Sequence, residues 1–119
     1  MRYTRMYATP DGESHFEDVE VPMTDNGRSS DLSEVFRVTG LQFRYTRPDY
    51  DLDFHCAPRR QFVVNLTGGV EIEVSDGEVR RFEAGSVFLA EDTTGKGHKS
   101  RALDGKDRVS LFIHLAAQD

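Results

Sequence analysis

The sequence predicts a single all-β domain, and three features carry the prediction. Val, Ile, Phe and Tyr recur at alternate positions in short runs. Gly, Asp, Asn and Pro clusters separate those runs at the spacing of a sandwich or barrel, and segments of helical period are nearly absent. A chain of 119 residues has the usual size of one domain, so residues 1–119 are read as one unit with no internal repeat and no low-complexity segment.

Arg2 to Ala8 and Phe16 to Val21 read as extended, and Thr24 to Ser30 reads as a mobile loop. Asp31 to Arg37 suits either a short helical turn or an edge strand. Leu41 to Arg47 alternates cleanly, Leu41, Phe43 and Tyr45 against Gln42, Arg44 and Thr46, and Pro48 ends it. Arg60 to Leu66 and Val70 to Val74 read as consecutive strands, and Thr67-Gly68-Gly69 between them predicts a hairpin. Ser75-Asp76-Gly77 turns the chain into Glu78 to Phe82. Ala84-Gly85 breaks it before Val87 to Ala90, and Arg108 to Leu115 is the last strand.

The net charge is −6, and the basic residues are scattered among acids instead of forming a stripe that could follow a phosphate backbone, which argues against nucleic acid. No apolar run approaches the ~20 residues that span a bilayer, and Met1 to Pro10 lacks a signal peptide's apolar stretch. The expectation is a cytoplasmic protein without membrane partners. Cys56 is the only cysteine, which excludes an intrachain disulfide and a cysteine-built zinc site.

Two segments resemble the motifs of the cupin superfamily. The first motif, G(X)5HXH(X)3-4E(X)6G, is similar to the stretch in which His55 keeps the first histidine and Gly68 the closing glycine, while Ala57 replaces the second histidine and Gln61 the glutamate. The second, G(X)5PXG(X)2H(X)3N, is similar to Gly85 through His98, with Gly95 three before His98. That stretch is two residues longer than the family's, lacks its proline, and has Ala102 where asparagine is usual. Glu91 to His98 also resembles a segment of bacterial one-domain cupins. The resemblance covers Asp53 to Leu115 and implies a double-stranded β-helix, or jelly-roll, barrel around a small-molecule pocket. By the same resemblance, N-terminal strands over about residues 2–22 would pair with a second copy in a homodimer, a way of closing an open sheet edge.

The resemblance further implies a metal site of His55, Gln61 and His98, a set of nitrogen and oxygen donors suited to iron, nickel, manganese, copper or zinc, with no organic cofactor. His55, Ala57, Gln61 and Val63 share parity and would share one inward face if no bulge intervenes; Cys56 would point away. Gln61 in place of a carboxylate would weaken a metal and leave the site more positive, favouring a small anionic substrate. His114 would line the pocket only if the even row of the last strand faces inward, and with Tyr45 it is the candidate proton carrier. Lys96, between two glycines, is either an exposed cation or a cap over the cavity mouth. Asp92, Thr93 and Thr94 are expected to fix the loop and orient His98. Arg59 and Arg60 are read as rim or surface charges, with a clamp on a substrate carboxylate as the alternative for one of them.

Two functions therefore stand open: a divalent-metal-dependent oxygenase, isomerase or lyase acting on a small anionic molecule, and a metal-free small-molecule-binding module.

Overall fold

A computed structural model describes residues 1–117. Twelve strands follow in order: β1 Arg2–Ala8, β2 Ser14–Glu20, β3 Thr24–Asp25, β4 Asp31–Leu32, β5 Val38–Thr46, β6 Asp51–His55, β7 Gln61–Thr67, β8 Val70–Val74, β9 Val79–Phe82, β10 Val87–Ala90, β11 His98–Ala102 and β12 Arg108–Leu115. A single 3-10 turn, Leu103–Gly105, precedes β12. The all-β expectation holds.

The strands form a six-stranded sheet in the order β2-β1-β10-β7-β12-β5 and a four-stranded sheet in the order β6-β11-β8-β9; β3 and β4 form a small separate ribbon. Neither large sheet closes on itself through hydrogen bonds. They face each other, and the core lies between them, built from Met6 and Phe16, from Val63, Phe88 and Ala90 of the larger sheet, and from Val70, Ile72, Val74 and Phe82 of the smaller. Alternation makes this possible: β7 and β8 each bury every second side chain.

Two local expectations are corrected. Thr67-Gly68-Gly69 does not close a hairpin, because β7 pairs with β10 and β12 while β8 pairs with β11 and β9. The two glycines carry the chain from one sheet to the other through a crowded corner. A Cβ on Gly68 would stand 2.1 Å from the Asp107 carbonyl oxygen, and one on Gly69 2.5 Å from that of Phe82. Secondly, the segment read as a loop opens with β3, which pairs with β4; of the two readings of Asp31 to Arg37, the strand holds at Asp31–Leu32 and the rest continues irregularly.

The alternation of β5 left its inward face open, and the structure turns the polar row inward. In β5 the apolar row Leu41, Phe43 and Tyr45 faces outward, at 52%, 78% and 57% exposure, whereas Arg44 is half-buried and Thr46 buried. The inner surface of this wall is thus polar. Residues 21–36 lie over the neighbouring part of the same outer face, where Phe36 and Tyr3 both meet Phe62 edge-on at 5.2 Å. No helix among the described residues is long and apolar enough to cross a membrane.

Candidate functional site

A cavity of about 70 Å³ lies between the sheets. Its apolar wall includes Met6, Val63, Val70, Ile72, Phe88 and Ala90, and its polar wall is made by Arg44, Tyr50, His55, Gln61, His98, Ser100 and Arg108. His55, Gln61 and His98 therefore line one space, though not by the parity argument. His55 ends β6 in the smaller sheet and Gln61 opens β7 in the larger, and the Cys56 to Arg60 segment crosses between them, so the two side chains face each other across the sandwich.

His55 and His98 are direct partners across the antiparallel β6/β11 pair, which puts their rings 4.4 Å apart. Each ring has one nitrogen committed. His55 Nδ1 donates to the Asp53 carbonyl at 2.8 Å, and His98 Nδ1 donates to Asp92 Oδ2 at 2.5 Å. A proton held at Nδ1 leaves the Nε2 lone pair of each neutral imidazole for a metal or an acidic hydrogen. Asp92 is wholly buried and its main-chain carbonyl accepts from Ala57 N at 3.1 Å, so it ties the His98 loop to the segment after β6. Asp92 alone meets His98; Thr93 and Thr94 are exposed.

Glycines permit this packing. Gly97 has φ +72°, and a Cβ there would lie 2.1 Å from the His55 carbonyl oxygen; Gly95, at φ +79°, presses on the main chain of Gly12. Lys96 between them does not cap the cavity but pairs with Glu13. Cys56 turns away from the cavity, its thiol donating to the Gly95 carbonyl at 3.3 Å.

The two expected proton carriers lie elsewhere. Tyr45 belongs to the outward row of β5, since residues of odd number on that strand face away from the smaller sheet. The even row of β12 does face inward, bringing Arg108 and Phe112 to the cavity, but His114 sits beyond its end, with Nε2 3.1 Å from the side chains of both Arg59 and Gln42. Arg60 is bound to Glu91 at 2.6 Å, together with Arg5. The phenol that does face the cavity is Tyr50, whose hydroxyl is 2.6 Å from that of Ser100.

Sequence reasoning missed Arg44 and Arg108. Arg108 is 4% exposed, and burial together with the charge of Arg44 pushes its pKa down to about 10. The available signal was the polar row Gln42, Arg44 and Thr46, which an apolar-inside rule turns outward.

As a metal site the donors are His55 Nε2, His98 Nε2 and Gln61 Oε1, a buried oxygen that meets no donor. As donors they are neutral nitrogen and oxygen groups, of the kind first-row divalent ions take. Among the described residues, no three His, Cys, Asp or Glu side chains cluster in a metal-holding group, and the Gln61 amide is the neutral oxygen that stands beside the two imidazoles in the cavity lining.

No family model matches the chain, and no curated protein matches it. Solved structures do. A conserved protein of unknown function from Streptococcus pyogenes, SPY1581, superposes with a TM-score of 0.52 at 18% identity over 74% of this chain and 72% of its own. Protein NMB1881 from Neisseria meningitidis superposes with a TM-score of 0.51 at 13% identity over 74% of this chain and 90% of its own. At such identities the likeness is one of fold, and the chain shares its two-sheet β architecture with these proteins.

Proposed function

We propose that this chain is a one-domain cupin whose facing sheets are the walls of a jelly-roll, and that it acts on a small organic molecule in the cavity with His55, His98 and Gln61 holding a divalent metal ion. One observation carries the reading: two imidazoles in direct register with ring centres 4.4 Å apart, each with Nδ1 committed to an oxygen, so that the Nε2 lone pair of each remains. A metal bound there supplies Lewis acidity toward a carbonyl or enolate oxygen. The chain's own residues do the rest. Asp92 holds His98 in its tautomer, the apolar wall excludes water, and Tyr50 with Ser100 offers a hydroxyl pair for proton transfer.

A second reading, the metal-free binding module, draws support from the lining itself, which holds two arginines and no carboxylate and so opposes a bare cation. Metal content after identical loading with each of iron, nickel, manganese, copper and zinc, followed by washing with a mild chelator, separates the two. The metal reading expects partial retention in wild type, more in Gln61→Glu and little in His98→Ala. Equal retention in all three overturns it; metal held by Gln61→Glu alone favours the binding module.

A cytoplasmic homodimer completes the proposal. The N-terminal strands give it little support, because β1 is paired on both sides and the β2 edge is lined by ion pairs such as Arg5 with Glu17 and Arg80 with Asp18. The opposite edge is better suited to a second copy. There the exposed apolar row of β5 adjoins Val109, Leu111 and Ile113 of β12, and an apolar patch running to a free strand edge complements itself about a twofold axis.

A further inference from the structure

Arg44 and Arg108 stand apart from the other partly buried arginines. Arg5 and Arg60 end on Glu91, and Arg80 ends on Asp18 and Glu78. Neither Arg44 nor Arg108 meets a carboxylate or any hydrogen-bond acceptor among the described residues, and Arg108 Nε is buried with no partner at all. Taking a guanidinium out of water without a counter-charge is costly, so such a group calls for an anion.

The strands place the two arginines together. On the inner face of the β5/β12 pair, Arg108 is opposite Thr46 and Arg44 is opposite Ser110, so the arginines occupy one diagonal of a four-residue patch and two hydroxyls the other. Both hydroxyls are buried without partners. The guanidiniums converge on Tyr50, their central carbons 5.5 and 6.0 Å from its ring centre, and Arg44 also lies 4.9 Å from that of Phe112. Two aromatic faces thus hold two cations at one side of a cavity whose other polar side is the histidine pair.

We propose that Arg44 and Arg108 form a carboxylate subsite, and that the molecule this cavity takes is a small monocarboxylic acid anchored there with its other end toward His55, His98 and Gln61. A planar carboxylate matches guanidinium donors in pairs, whereas a phosphate would leave oxygens against the apolar wall of Met6, Val63, Val70 and Phe88. The size follows from the space. At about 10–15 Å³ for each water-sized position, 70 Å³ holds roughly five to seven non-hydrogen atoms, about a three- to five-carbon monocarboxylic acid or a smaller one. The inference rests on the small-molecule reading of the cavity, and it assigns the end of the ligand that the histidines do not.

The test is binding, read by calorimetry and by the Arg108 Nε–H and His98 Cε1–H resonances, with acetate, propionate and pyruvate against acetamide, propionamide and inorganic phosphate. The expected result is that carboxylates bind at least tenfold more tightly than their amides and than phosphate, and shift both resonances. Arg108→Met and Arg44→Met should each lower carboxylate affinity tenfold or more; Arg108→Lys, which keeps the charge and loses the fork, should fall between. Arg44→Met guards against a folding failure of the buried site. Amides that bind as tightly as carboxylates, or variants that keep carboxylate affinity, overturn the subsite while leaving the pocket in place. If neither acids nor amides bind, the subsite and the small-molecule reading fall together.

Discussion

His98 and Asp92 meet at 2.5 Å in the interior, the carboxylate with no exposed surface and its second oxygen without a hydrogen-bond partner. A buried carboxylate bonded to one ring nitrogen fixes both the tautomer and the angle of the imidazole, so whatever the opposite nitrogen does depends on Asp92.

Asp92→Asn should therefore leave His98 in place but free it to take the other tautomer. The expected outcome is a 10–100-fold loss of metal affinity, about the cost usually seen when a carboxylate behind a histidine ligand is removed. Metal titration of the variant, with its fold checked by circular dichroism, measures this. Unchanged affinity would separate Asp92 from the site.

Gly97→Ala should be among the most damaging single-methyl additions in the chain. The new Cβ would stand 2.1 Å from the His55 carbonyl oxygen at a φ of +72°, so β6 and β11 cannot keep their register. A cost of about 2–4 kcal/mol is expected, in the range of strained backbone plus overpacking. The His55 and His98 ring resonances should shift together. Chemical denaturation gives the first quantity and NMR the second.

Arg108→Met should raise stability in ligand-free protein, since replacing buried ionic groups by apolar ones of similar volume is often favourable by about 1–4 kcal/mol. The pH dependence has a definite sign. The folded-state pKa of Arg108 is depressed to about 10, well below the ordinary guanidinium range, so the charged form is the one that folding penalises. Below about pH 10 the penalty is fully present, and it fades as pH rises from about 10 towards the ordinary guanidinium pKa. The stability advantage of Arg108→Met over wild type should accordingly shrink above pH 10, as measured by paired urea melts across pH 7 to 11.

The particle in solution should have the mass of a dimer at micromolar concentration by light scattering. Phe43→Asp, on the exposed row of β5, should return it to a monomer, while Glu17→Lys on the β2 edge should not. The opposite pattern would restore the N-terminal strands as the interface.

The strands themselves were legible in the sequence because their cause is local. Val70 to Val74, Val87 to Ala90 and Arg108 to Leu115 begin and end where alternation meets a turn residue, and the structure keeps those limits. The Ser75-Asp76-Gly77 hairpin was equally local: Asp76 Oδ1 accepts from Glu78 N at 2.8 Å, and Gly77 takes φ +98°. Residue-by-residue alternation also marked β5 as two-faced, without saying which face was which.

Only the tertiary structure decided that. Turning Arg44 and Thr46 inward makes sense solely because β12 sets Ser110 and Arg108 opposite them, and together they wall a cavity instead of a packed core. Gly68 and Gly69 carry turn chemistry whether the chain returns along its own sheet or leaves for the other, and the choice lies in the crowding of Asp107 and Phe82, distant in sequence. The same holds for the site. His55, Gln61 and His98 could be picked out one by one, but what aligns two imidazoles is the register of β6 with β11, and what brings Gln61 to them is the opposing sheet. Short-range sterics and periodicity fix the elements; pairing between strands far apart in the chain fixes which side chains meet, and no local pattern encodes it.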